Sequence, residues 1–347
     1  MDSVATAAGG AGVAGTGAPP VSAAETPRVA VVIPCYRVAA QIGAVIRSVP
    51  ASCGLVVCVD DASPDDVASA VAAVGDPRVV YLRHERNAGV GAAVKTGWRA
   101  ALERGADVVV KLDGDGQMAG VDVDALVAPL LDGRADLAKG NRFVHHAALR
   151  AMPAARLAGN AVLSFGVKAV SGYWNVLDPT NGFVALTADL ARRLDFDALA
   201  DRYFFETSLL VEANIERARV ADVALPARYG DETSSLHVGH ALFTFPWRLA
   251  GAMARRFYWR YLIQDFGVVS VGVLAGLPLV LFGAVFGAWH WMRSVRTGVP
   301  ATAGTVFVAA LPIILGVQLL LVALVLDVLS SPTEKFGGRM REAPRNP

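Results

Sequence analysis

Charge is what this chain has least of. Only 18% of its 347 residues are Asp, Glu, Lys or Arg, and the formal net charge is +1. An average soluble domain carries about 25% charged residues. Nothing in that balance forms a global electrostatic footprint, so no nucleic-acid partner is expected. Cysteine is equally scarce. Cys35, Cys53 and Cys58 have no metal-type spacing and are too few for a disulfide framework. Cys35 and Cys58 sit in apolar, strand-like runs and read as small buried hydrophobes in a reduced compartment. The histidines supply no zinc site: His145–His146 and His237-x-x-His240 lack a further ligand, and read as surface or loop residues. Large apolar side chains are nearly missing from the first 27 residues, which also lack the basic start and apolar run of a signal peptide. A disordered tail is expected over 1–27.

The charge deficit is concentrated. Phe266–Trp289 and Ala301–Leu326 contain no charged side chain. As helices they extend roughly 36–39 Å, enough to cross a hydrocarbon core of about 30 Å with some tilt. A two-helix transmembrane region is therefore expected over 266–330. Residues 241–265, "ALFTFPWRLAGAMARRFYWRYLIQD", segregate Arg248, Arg255, Arg256 and Arg260 from most of the aromatics. A basic and aromatic segment ahead of a span predicts an amphipathic helix at the headgroup level, in contact with membrane lipid. Basic residues before the first span and after the second (Lys335, Arg339, Arg341, Arg345) outnumber Arg293 and Arg296 between them. The positive-inside bias then places the large domain, both termini and the 331–347 tail in the cytoplasm.

From Arg28 the pattern alternates. "RVAVVIP", "LVVCVDD", "RVVYLRH" and "ADVVVKLD" are β-branched strand runs, with helices expected at Ala39–Val49, Pro64–Val74, Gly91–Arg104 and Val123–Leu131. Ser63 reads as the N-cap of the second helix and Pro64 as its first residue. A strand near Asp136–Lys139, helices near Ala154–Val170 and Tyr203–Arg217, and a strand near Ala221–Leu225 complete a domain over 28–240. Alternation of this kind describes an α/β, Rossmann-like fold, a mostly parallel sheet covered on both faces. Ligands on such sheets bind beyond the carboxyl ends of the strands. The polar clusters Pro34–Tyr36, Asp60–Ser63 and Asp113–Gln117 fall there.

Asp113 and Asp115 sit at i and i+2 after a strand, where extended backbone projects both to one side, and Gln117 adds an amide oxygen if the extended geometry persists that far. Carboxylates so close repel unless a cation joins them. Mg²⁺ or Mn²⁺ takes hard oxygen ligands of this type, with phosphates and water completing the shell. Asp60 and Asp61 end an earlier strand, where a carboxylate accepts from base or ribose hydroxyls, or caps the following helix. "NAGVGAAVKTG" fails both the dinucleotide fingerprint and the P-loop, yet opens a helix whose amino end suits phosphate.

Taken in order, "PCY", "VDDAS", "NAGVGAA", "DGDGQ", "GNRF", "DPTNGF" and "YFFE" resemble the family 2 glycosyltransferases of GT-A fold, above all the polyisoprenyl-phosphate glycosyltransferases. The likeness runs from Arg28 to Ser235, and the trailing spans match the membrane-anchored subgroup. It implies that Asp113, Asp115 and Gln117 bind Mg²⁺ or Mn²⁺, that Pro34, Tyr36, Asp60 and Asp61 line the nucleotide pocket, and that Arg142 and Arg156 hold phosphate. It further implies a nucleotide-sugar donor, a polyprenyl phosphate acceptor such as undecaprenyl or dolichyl phosphate, a bacterial inner-membrane location, and an inverting transfer serving cell-envelope glycan or glycoconjugate synthesis. Catalytic roles fall to Asp115, Arg142 and Asp178; Asp178 either orients a substrate or caps the turn before Pro179, and Glu206 is open in the same way. Asn181 stands where the family usually has Ser, and "YGDETSSL" lacks the lysine often found after the last strand. Two alternatives stay open: a processive polysaccharide synthase, though "FPWRL" lacks that family's Gln-x-x-Arg-Trp, and a non-enzymatic membrane scaffold. A homo-oligomer is also left open.

Overall fold

The computed structural model describes residues 27–141, 154–225 and 238–332; the side chains of 154–158, 160 and 238–244 are not among what it describes. The expected tail, Arg142, His145, His146, His237, the "YGDETSSL" run and all but the first residues of the C-terminal tail lie outside the described residues.

Seven strands form one mixed sheet. Parallel β1 (Val29–Cys35), β2 (Cys53–Asp60), β3 (Val79–Arg83) and β4 (Val108–Lys111) make one half, and β5 (Leu137–Asn141), β6 (Val184–Thr187) and β7 (Val220–Ala224) the other. The order is β3-β2-β1-β4-β6-β5-β7, with β6 antiparallel to both neighbours and β5 parallel to β7. Every residue of β1 is buried, as a strand covered on both faces requires. One layer packs Trp98, Tyr173 and Phe205 from the α3 (Val90–Glu103), α5 (Ala154–Ser171) and α7 (Phe205–Ile215) side. The other packs Ile42, Ile46 and Leu126 from α1 (Ala39–Ser48) and α4 (Val123–Leu131), with α2 (Val67–Ala72) beside them. A short α6 (Ala188–Arg193) follows β6 directly.

The second helix departs from expectation. It starts at Val67, capped by Asp66 accepting from the Ser69 amide at 3.0 Å. Ser63 is committed elsewhere, since its hydroxyl accepts from the Arg37 amide at 2.7 Å and bonds Asp65.

Beyond the sheet, α8 (Val238–Arg256) continues into a π-helical segment, Phe257–Gln264, then α9 (Val268–Thr297) and α10 (Ala303–Leu329). Both last helices are long and apolar enough to cross a membrane. They approach backbone to backbone at Gly276 and Gly316, where a methyl on Gly276 would lie 2.9 Å from the Gly316 carbonyl oxygen. Their outer faces, including Leu281, Val285, Phe307 and Leu321, are exposed, unlike those of a soluble core helix. The four arginines that share one sector of the segment meet different surroundings: Arg248 is exposed, Arg255 pairs with Glu212 at 2.6 Å, and Arg256 and Arg260 are buried.

Candidate active site

Strand register sets what meets at the carboxyl edge. Cys35 of β1 is level with Asp60 of β2, and Asp60 with Arg83 of β3. Val32 is level with Lys111 of β4. Just past β4, a methyl on Gly114 would lie 3.1 Å from the Pro34 carbonyl oxygen, so the β4 turn packs directly on the end of β1. Pro34 itself is buried within β1, whereas Tyr36 is exposed with the Arg37 guanidinium 5.4 Å from its ring centroid.

Asp60 is wholly buried. Its Oδ1 accepts from the Ser63 amide at 2.7 Å and its Oδ2 from the Tyr81 hydroxyl at 2.6 Å, with the Arg83 guanidinium 3.3 Å away. Burial, and then the bond to Asp60, push the Tyr81 phenol up to about 12. Asp61 turns to the 84–89 loop. It accepts from the Ala88 amide at 2.9 Å and the Gly89 amide at 2.7 Å, and lies 2.8 Å from His84 Nδ1. His84 Nε2 in turn lies 2.9 Å from Thr96 Oγ1 of α3. Asp61 therefore braces the loop that opens α3 and does not cap the helix after β2.

Strand geometry stops at Lys111 and a turn follows, so the extended geometry does not persist to Gln117. Gly116 takes φ +78°, and the Gln117 backbone amide donates to Asp115 Oδ1 at 3.0 Å, leaving the residue exposed. Asp113 Oδ1 accepts from Lys111 Nζ at 2.6 Å. The same ammonium donates to the Gly182 carbonyl at 3.1 Å and lies 3.2 Å from Glu206 Oε1 on α7. Burial pulls the Lys111 pKa down, but Asp113 and Glu206 outweigh it and hold the group above lysine's usual value. Gly182 has no side chain for a reason: a methyl there would collide with Asp113 Oδ2 and lie 2.6 Å from Lys111 Nζ.

A second buried lysine mirrors the first. Lys111 and Lys139 are both level with Val184 of β6, one on each neighbouring strand. Lys139 Nζ donates to the Asn181 carbonyl, so the two ammonium groups fasten consecutive carbonyls of the "DPTNGF" loop. Asn181 Oδ1 accepts from the Phe183 amide at 2.9 Å. Asp178 is wholly buried; its Oδ1 accepts from Thr180 at 3.4 Å and its carbonyl from the Asn181 amide at 3.3 Å. Arg156 lies in the first turn of α5.

The structure thus joins Asp113, Glu206 and the 178–183 loop through Lys111, and sets Asp60 on the adjoining strand ends. Composition and spacing did not single out Lys111 or Lys139. The available signal was a lysine closing each of the apolar runs "VVVK" and "DLAK". Beside α7, a cavity of about 510 Å³ is lined by Ala88, Phe204, Val211, Ala252, Arg202 and Arg248, between the 84–89 loop and α8.

Among the described residues, no group of three or more His, Cys, Asp or Glu forms a closed metal centre. The two hard carboxylates of the turn, Asp113 and Asp115, fit instead an ion whose shell substrate phosphates and water complete.

The profile of glycosyl transferase family 2 matches residues 30–195. Undecaprenyl-phosphate mannosyltransferase of Micrococcus luteus is 31% identical over 205 residues, 57% of this chain and 82% of the relative. The chain belongs to glycosyl transferase family 2. This transferase is also 30% identical over 152 residues, 44% of its length, to UDP-N-acetylglucosamine–dolichyl-phosphate N-acetylglucosaminyltransferase of Methanococcus voltae, covering 60% of that relative. Crystalline glucosyl-3-phosphoglycerate synthase of Mycobacterium tuberculosis, in complex with phosphoglyceric acid, aligns over 66% of the transferase and 80% of its own chain, at 23% identity and a TM-score of 0.49.

Proposed function

We propose that this glycosyltransferase moves a single sugar from a nucleotide-sugar donor to a polyprenyl phosphate at the cytoplasmic membrane face, with inversion. The observation that carries the reading is Asp113, held at the end of β4 by Lys111 and packed against Gly182, in a chain that carries two apolar helices after its sheet domain. The named activities of the similar proteins support it, since both act on a polyprenyl phosphate.

Asp113, Asp115 and Gln117 would hold Mg²⁺ or Mn²⁺. When bound, the ion supplies charge neutralisation for the departing diphosphate. Asp60, fixed by Tyr81 and Ser63, presents the β2 end to the nucleotide, while Asp61 shapes the 84–89 loop beside it. Arg142 and Arg156 would grip the acceptor phosphate as guanidinium forks do. A phosphate monoester has a second pKa of about 6, so the acceptor is largely dianionic at neutral pH and needs no strong general base. Its oxygen bonds the anomeric carbon as the bond from that carbon to the diphosphate oxygen breaks, and nucleoside diphosphate leaves. Asp178, with no exposed surface, serves by bracing the 178–183 loop. The cavity beside α7 sets apolar walls from Phe204, Val211 and Ala252 among the charged side chains of Asp201, Arg202, Glu212, Arg248 and Arg255, a mixture suited to a lipid with an anionic head.

Purified full-length protein, Mg²⁺ or Mn²⁺, and a panel of UDP-, GDP- and dTDP-sugars with short polyprenyl phosphates test the reading. A lipid-linked monosaccharide is expected for one donor. Asp115→Ala and excess chelator should each abolish it, and turnover retained in either counts against the site.

A further inference from the structure

Lys111 is a buried cation that holds Asp113 but touches neither donor nor acceptor in the transfer as described. It closes a strand whose other residues are valine, and its side chain is 2% exposed. An apolar residue of that length would fill the space without desolvating a charge. What the ammonium touches explains its presence: Asp113 at 2.6 Å, Glu206 at 3.2 Å and the Gly182 carbonyl at 3.1 Å. Three separate pieces of the site, the β4 turn, helix α7 and the 178–183 loop, therefore meet on one nitrogen. Two carboxylates share a single positive charge, and the cluster is left with one net negative charge.

We propose that Lys111 is a positioning residue that sets the cation affinity of the site, moderating the pull of Asp113 and Glu206 together while fixing the Asp113 carboxylate against Gly182. The inference rests on the reading of Asp113 as a cation ligand. Its electrostatic consequence has a definite sign. Removing the ammonium raises the negative charge of the cluster, so a divalent cation binds more tightly even as the turn loses its anchor. Removing Glu206 does the opposite. A side chain that merely packed would give weaker or unchanged binding when lost.

The test measures Mn²⁺ alone binding to the full chain in detergent, counted from the electron paramagnetic resonance signal of the free ion. The proteins are wild type, Lys111→Met, Glu206→Gln and the double variant. Lys111→Met should bind Mn²⁺ about tenfold more tightly with lower sugar-transfer turnover, Glu206→Gln about tenfold more weakly, and the double variant within a few-fold of wild type. Glu206→Gln changes one atom and keeps side-chain volume, so it carries the test should Lys111→Met fail to fold. Equal Mn²⁺ affinity in wild type and Glu206→Gln, or weaker binding in a folded Lys111→Met, overturns the inference and leaves the cation site standing. A wild-type protein that binds no Mn²⁺ overturns the cation site itself.

Discussion

Arg256, the last residue of α8, and Asp327, near the end of α10, form a two-point ion pair across 71 residues, Nη1 to Oδ1 and Nη2 to Oδ2 both at 2.9 Å. The Tyr261 hydroxyl donates to the same carboxylate, and Arg256 Nη2 also donates to the Ala169 carbonyl of α5 at 3.2 Å. This buried pair fastens the apolar hairpin to the transferase domain. Breaking a buried pair leaves the other charge uncompensated, so Asp327→Asn should cost about 3–5 kcal/mol. The double variant Arg256→Met/Asp327→Leu should lose less than the sum of its single changes. Thermal unfolding in detergent measures both, and additive losses would contradict the coupling.

Gly182 offers a sharper probe of the site than any carboxylate. Its added methyl in Gly182→Ala meets Asp113 Oδ2 and Lys111 Nζ together, so the turn must move. Displacing a reacting group by about 1 Å costs about 10²-fold in rate. Turnover should fall by about that factor, with the far-ultraviolet circular dichroism spectrum unchanged. Wild-type turnover would show that Asp113 has no fixed place in the reaction.

Tyr81 predicts a signature at high pH. Its phenol is held up to about 12, first by burial and then by its bond to Asp60. A raised acid stabilises the fold fully below its unfolded value of about 10, and that contribution fades as pH climbs from there through its folded value. Tyr81→Phe should remove the tyrosinate absorbance that rises near pH 12. It also leaves Asp60 Oδ2 with the Arg83 guanidinium alone, and a hydrogen bond worth about 0.5–1.5 kcal/mol corresponds to a rise in donor KM of about 2- to 12-fold. An unchanged titration would contradict the assignment of the raised phenol to Tyr81.

The sequence reading and the structure agree where local pattern carries the information. Runs rich in β-branched residues announced β1 to β4, charge-free length announced α9 and α10, and the Asp-Gly-Asp-Gly turn marked the edge where Asp60 and Asp113 lie. Long-range pairing was not legible. Nothing in the four residues of β6 says that it runs antiparallel between β4 and β5, because direction is set by its neighbours. Lys111 carried no mark in the sequence; its burial is explained by Asp113 beside it together with the distant Gly182 carbonyl and Glu206. Ser63–Pro64 carried a strong helix-start signal, yet the Arg37 amide and Asp65 claimed the serine hydroxyl. Likewise the arginines of α8 and the π-helical segment form one basic sector in the sequence, and nothing local tells that Asp327 and the Asn214 carbonyl hold Arg256 and Arg260 inside.

One measurement bears most directly on the account: the anomalous-scattering map of crystals grown with Mn²⁺ and a nucleoside diphosphate that supports turnover. A manganese peak within coordination distance of the Asp113–Asp115 turn and a diphosphate oxygen is predicted. A nucleotide bound with no manganese there, in a protein that still transfers sugar, would contradict it.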